Sequence, residues 1–196
     1  MKKVLLSAVA LLAFGFANAQ EEKSANGGFS KGDAFVSGAF TLSTTSMDKD
    51  KSSSFEIAPQ VGYFLTENIA IGGKLGYMSE KAEDASGDTL DMSGLTLGAF
   101  GRYYFTPANQ FSLFGQLGFD YASMEDNLND YKVNAFGAGL GFGMNYFVSS
   151  NFSLEAAVGV LGFASAKADY DGAEAVNTFE LGGDWRAVSF GVNYKF

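Results

Sequence analysis

From about residue 32 onward, apolar and polar positions alternate in successive blocks, the period of two that a one-face-buried strand requires. Eight blocks fall at about 32–43, 54–65, 69–79, 90–105, 110–123, 133–147, 152–165 and 185–196. The sixth is the most regular, with Phe136, Ala138, Leu140, Phe142, Met144 and Tyr146 on one face and Gly137, Gly139, Gly141 and Gly143 on the other. The second sets Phe55, Ile57, Val61 and Tyr63 against Glu56, Ala58, Gln60 and Gly62. The third sets Ile69, Ile71, Leu75 and Tyr77 against Lys74, and the fifth sets Phe111, Leu113, Leu117, Phe119 and Tyr121 against Ser112, Gln116, Gly118 and Asp120. In the fourth, Leu95, Leu97, Ala99 and Tyr103 oppose Thr96, Gly98, Phe100 and Arg102, and a change of phase near Gly94 predicts a bulge. The first block shows Val36, Phe40 and Leu42 on its apolar face. The seventh shows Phe152, Leu154, Ala156, Val158 and Val160 against Glu155. The eighth, from about Trp185, sets Val188, Phe190, Val192, Tyr194 and Phe196 against Ser189, Gly191, Asn193 and Lys195. Each block reaches or exceeds the ~9–11 residues with which a tilted strand crosses a bilayer.

A repeat of about 41 residues joins the blocks: Tyr63 to Ile69, Tyr104 to Phe111 and Tyr146 to Phe152 each carry an aromatic pair and a short polar turn with Asn. These turns predict three tight hairpin closures on one rim, ringed by a periplasmic aromatic girdle of Tyr63, Tyr103, Tyr104 and Tyr146. The opposite connections, about 44–53, 80–89, 124–132 and 166–184, are longer and acidic. The ionisable residues share the glycine-rich face and the large apolar residues the other, the reverse of a soluble barrel. The pattern predicts an all-β fold: an eight-stranded antiparallel transmembrane β-barrel with short periplasmic turns and longer extracellular loops over 31–196.

The start of the chain reads as an export sequence. Lys2 and Lys3 precede an apolar run from Val4 to Phe16, too short to span a bilayer, and Ala17-Asn18-Ala19 forms a small-x-small cleavage site. A cleaved signal peptide at 1–19 and a short periplasmic tail at 20–30 follow from it. Removing 1–19 takes two of the 13 basic residues and no acid, leaving a net charge of −11, which excludes nucleic acid as a partner. There is no Cys, so no disulfide supports the fold.

At this point the chain resembles the small outer-membrane β-barrel family that includes OmpX, Ail and the membrane domain of OmpA. The resemblance rests on the eight alternating blocks, the Tyr-Phe turns and the closing Tyr194-Lys195-Phe196, and covers about 31–196. Ser189, Gly191, Tyr194 and Phe196 fit the family's assembly signal, which implies the barrel-assembly machinery as a partner during biogenesis. It also implies residence in the bacterial outer membrane, among its lipids and lipopolysaccharide, as a monomer.

Five ionisable residues are expected inside the barrel at membrane depth: Glu56, Lys74, Arg102, Asp120 and Glu155. Isolated charges there are costly, so they are expected to pair as a lumen charge network. Arg102 and Glu155 lie near the same rim, and Lys74 is within reach of Gln60 or Glu56 on the adjacent strand. Enzymes of similar barrel type rely on a histidine, and this chain has none, nor a Cys nucleophile. No catalytic residue, cofactor or metal ligand set is therefore assigned. The expected role is structural, in envelope integrity, with exposed acidic loops. The alternatives are a narrow ion or small-solute channel gated by the lumen salt bridges, and a surface adhesin or receptor acting through the loops.

Overall fold

The computed structural model describes residues 27–47, 50–182 and 188–196, leaving out the side chains of 39–43. The export segment 1–19, the tail up to residue 26 and Trp185 lie outside the described residues. Regular structure among the described residues is entirely strand: β1 (Ala34–Met47), β2 (Asp50–Phe64), β3 (Ile69–Asp84), β4 (Gly87–Tyr104), β5 (Phe111–Asp126), β6 (Tyr131–Phe147), β7 (Phe152–Ala168), β8 (Val176–Leu181) and β9 (Ser189–Lys195).

Each strand from β1 to β7 pairs antiparallel with the next. The ring closes where Phe35–Ala39 of β1 meets Lys195–Gly191 of β9. β8 pairs with the upper half of β7 and β9 with its lower half, so the two are successive parts of one stave in an eight-staved barrel. Half of the fourth connection read from sequence, 166–184, is thus strand: β7 runs on to Ala168 and β8 supplies Val176–Leu181.

Alternation fixes which face each residue takes. Outward positions such as Leu97, Phe119, Phe142 and Leu154 stand more than half exposed. A surface this apolar is untenable in water and is the lipid-facing belt of a membrane barrel. The register runs straight through Gly94, which pairs with both Met78 and Met124, so the bulge expected there is absent. The irregularities fall elsewhere, between Ala82 and Glu83 and at Val160, which is skipped between the Leu140–Leu161 and Gly141–Gly159 pairs. The Val160 carbonyl accepts the Gly182 N–H at 2.9 Å, so the extra residue helps tie β8 to the wall.

Above the belt the hairpins continue as paired strand, because backbone groups there still need partners. Their tips are held by side chains: Asp84 accepts the Ser86 N–H at 2.6 Å, and Asp126 Oδ1 accepts the Leu128 and Asn129 N–H groups at 2.9 and 3.1 Å.

One girdle position is corrected. Tyr63, Tyr103 and Tyr146 stand outside at the lower rim, but Tyr104 is fully buried inside the barrel. β4 keeps its period of two through the Tyr-Tyr pair, so Tyr103 faces lipid and its neighbour faces the lumen. Phe105 then returns outward, its ring 5.3 Å from that of Tyr103.

Candidate functional site in the barrel lumen

The lower lumen is filled by rings. Phe35, Phe64, Phe100, Tyr104, Phe114 and Phe147 point inward from the wall, and Phe29 enters from the segment before β1; all are buried. Phe29 takes the centre, with ring centroids 4.7 Å from Phe64, 4.9 Å from Phe147, 5.1 Å from Tyr104 and 5.7 Å from Phe35. Its segment, 27–33, is folded into the periplasmic mouth. The Phe29 N–H donates to the Pro107 carbonyl at 2.7 Å, and the Gly32 N–H to the Phe64 carbonyl at 3.0 Å. Lys195 donates to the Gly28 carbonyl and lies 3.7 Å from the Asp33 carboxylate. Gly27 and Gly28 have φ of +71° and +108°, and a Cβ at either would run into the Phe147 side chain or the Ala108 backbone. Only glycine makes this entry.

Directly above the rings lies Arg102. Its five N–H donors are all used: Nε to Gln116 Oε1 at 2.6 Å, Nη1 to Glu155 Oε2 at 2.8 Å and Tyr104 at 3.3 Å, and Nη2 to Glu155 Oε1 at 2.9 Å and Gln60 Oε1 at 3.3 Å. The guanidinium also faces the rings of Phe114, Phe100 and Phe35 at 4.3, 5.0 and 5.6 Å. Those rings reach the centre by lying across a glycine on the neighbouring strand. Phe35 pairs with Gly62, Phe100 with Gly72 and Phe114 with Gly143, and a Cβ at any of these glycines would strike the ring. Each cross-strand pair trades one side chain's room for another's ring, which packs the centre with guanidinium and aromatic faces. Burying this bidentate pair is tolerable because every donor on the cation is satisfied. Asn145 Nδ2 adds a bond to Glu155 Oε2 at 3.0 Å.

The second lumen ion pair differs from the sequence expectation. Lys74 turns to Asp120, Nζ to Oδ2 at 2.9 Å, rather than to Gln60 or Glu56. Lys74 is level with Gly98, and Gly98 with Asp120, so the missing side chain on β4 lets the lysine reach two strands across. A Cβ at Gly98 would collide with Asp120 Oδ1 and press on the Lys74 stem. Glu56 stays apart, level with Thr41 and Met78 and exposed, with no ion pair among the described residues.

Between the two pairs lies a cavity of about 310 Å³, lined by Gln60, Lys74, Arg102, Gln116, Asp120 and Glu155 together with glycine backbone. The side chains of Lys74 and Asp120 are 27% and 33% exposed, whereas everything below Arg102 is sealed, so solvent reaches the cavity from the upper lumen. No group of three acidic side chains able to hold a metal ion occurs among the described residues. The arrangement can hold charge and fill space, and it offers polar groups to a small solute from above.

Sequence reasoning brought out the five charges and, of the rings, only the inward Phe100. Phe29 lies in Gly-Gly-Phe-Ser, which has no alternation, and nothing local signals a tertiary plug. The inward rings were within reach: Phe35 and Phe114 are one residue from the lipid-facing Val36 and Leu113.

The model of the outer membrane protein beta-barrel domain family matches residues 6–196. No curated protein matches the chain by sequence. Among solved structures, the chain is similar to outer membrane protein OprG from Pseudomonas aeruginosa, at 15% identity over 86% of this chain and 98% of that one, with a TM-score of 0.56. It also aligns with the N-terminal β-barrel domain of OprF from the same organism, at 15% identity over 86% and 100% of the two chains, TM-score 0.48. Neisserial surface protein A aligns at 19% identity over 86% and 99%, TM-score 0.46. At this identity the likeness to OprG shows a common fold.

Proposed function

The chain belongs to the outer membrane protein beta-barrel domain family, and from that premise we propose that it is a non-catalytic structural barrel of the bacterial outer membrane. It contributes to envelope integrity and presents its polar hairpins to the outside. The observation that carries this reading is the filled lower lumen, where Phe29 and its ring partners are all buried beneath Arg102. An eight-stranded barrel has little interior to spare, and here it is spent on side chains. A lipid-facing belt anchors the molecule, and the buried Arg102–Glu155 pair fixes the spacing of β4 against β7 across the lumen.

The test joins a physical and a cellular measurement. The purified, folded chain is expected to be silent in a planar bilayer, and cells lacking it to become more sensitive to detergent, with resistance restored by the wild-type chain. Reproducible discrete conductance steps, or an unchanged barrier in the deletion strain, would overturn the structural reading.

A further inference from the structure

The cavity above Arg102 has a one-sided chemistry. Arginine can only donate hydrogen bonds, so Gln60 and Gln116 must turn their Oε1 atoms toward it, as both do. Their Nε2 amino groups then face away, and neither takes a partner among the described residues although both residues line the cavity. Lys74 is ion-paired with Asp120 Oδ2 and keeps at least two N–H donors. Most acceptors are engaged or withdrawn. Both Glu155 oxygens are held by Arg102, Asp120 Oδ1 is buried against Gly98, and Asp120 Oδ2 is held by Lys74. The charges balance, Arg102 against Glu155 and Lys74 against Asp120, yet the groups left without a partner in the space are mainly donors.

We propose that this cavity is a binding site, open to the outside and blind to the periplasm, for a small solute that brings acceptor oxygens, a carboxylate foremost. Its two amide N–H₂ groups and the Lys74 ammonium replace the solute's water on one side. The glycine backbone of Gly118, Gly139 and Gly141 leaves the room. A small cation meets only Asp120 Oδ2, which Lys74 already neutralises, and is disfavoured. Arg102 acts here as a positioning residue: it never touches the solute, but it fixes both glutamine amides in the orientation that makes them donors.

The experiment is an NMR titration of the folded chain with sodium acetate, observing the side-chain amide signals of Gln60 and Gln116, with methylammonium chloride as the control. Acetate is expected to shift both signals saturably and methylammonium to leave them unmoved. In Gln116→Glu and in Gln60→Glu the oxygen facing Arg102 is kept while the free N–H₂ becomes an oxygen. Acetate affinity is expected to fall at least about tenfold in either variant that folds, the order of one charge-assisted hydrogen bond. An absent or unsaturable response to acetate in the wild-type chain, an equal response to methylammonium, or undiminished affinity in a folded glutamate variant would overturn the assignment.

Discussion

Replacing Phe29 by alanine tests how the segment 27–33 is held. Phe29 is 1% exposed and meets four rings between 4.7 and 5.7 Å, so little of its surroundings can collapse into the space it leaves. A fully buried Phe→Ala change costs about 3–5 kcal/mol, which is roughly a hundredfold to a few thousandfold in the equilibrium between seated and unseated segment. The barrel wall does not depend on this ring, because its closure rests on the β1–β9 ladder. Loss of Phe29 is therefore expected as local opening rather than unfolding. Amide hydrogen exchange reads it directly. The Gly32 N–H, bonded to the Phe64 carbonyl at 3.0 Å, reports seating without being the mutated residue. Its exchange in Phe29→Ala is expected to rise by at least about a hundredfold, while Leu117 and Leu140, paired in the β5–β6 ladder, stay protected. Exchange at Gly32 within a few-fold of wild type, in a barrel shown to be folded, would refute the argument that the ring cluster holds the segment.

The buried ion pair makes a contrasting prediction. Arg102→Met leaves Glu155 charged and unpaired, an expected loss of about 3–5 kcal/mol, whereas the double change with Glu155→Leu recovers most of it. Thermal unfolding of the two variants in detergent decides this. Gly72→Ala drives a Cβ into the Phe100 ring and the Val61 carbonyl, and overpacking of this kind is expected to cost about 1–3 kcal/mol in the same assay. The upper hairpins carry a pH dependence. Asp91 is held below the ordinary carboxylate range by its bond to Lys81 and then by Asn127, and Asp126 by Asn129 and the backbone N–H groups at its tip. A depressed carboxyl contributes fully above its unfolded value of about 3.9, and the contribution is lost as pH falls through the lower native value. Protease cleavage at the β5–β6 tip is expected to rise below about pH 4 in the wild-type chain. In Asp126→Asn the rise on acidification should be smaller; an equal rise would refute the assignment.

How far the sequence carried depended on whether a feature was periodic. Strand faces follow from the period of two, so the lipid belt and the inward placement of Arg102 and Glu155 are legible in the sequence. Carried through Tyr103-Tyr104, the same period puts Tyr104 inside, whereas an aromatic pair beside a turn resembles a girdle as a whole. The partner of Lys74 is not on the adjacent strand: the glycine at 98 opens the path across β4 to Asp120, which pairwise neighbours in sequence pattern do not reveal. β8 is masked by the acids around it: charge points to a loop, but Asn177, Phe179 and Leu181 alternate with Thr178 and Glu180 along the wall. Phe29 had no local signal, since its place is set by Phe35, Phe64, Tyr104 and Phe147 acting together.

The seat of 27–33 is assembled from distant pieces: Phe35 on β1, Phe64 on β2, Pro107 in the turn after β4, Phe147 on β6 and Lys195 on β9. All of them stand together only where β9 has joined β1. The complete seat of the segment before the first strand is therefore a mark of the closed ring: Lys195 reaches Gly28 only from a β9 that is paired with β1.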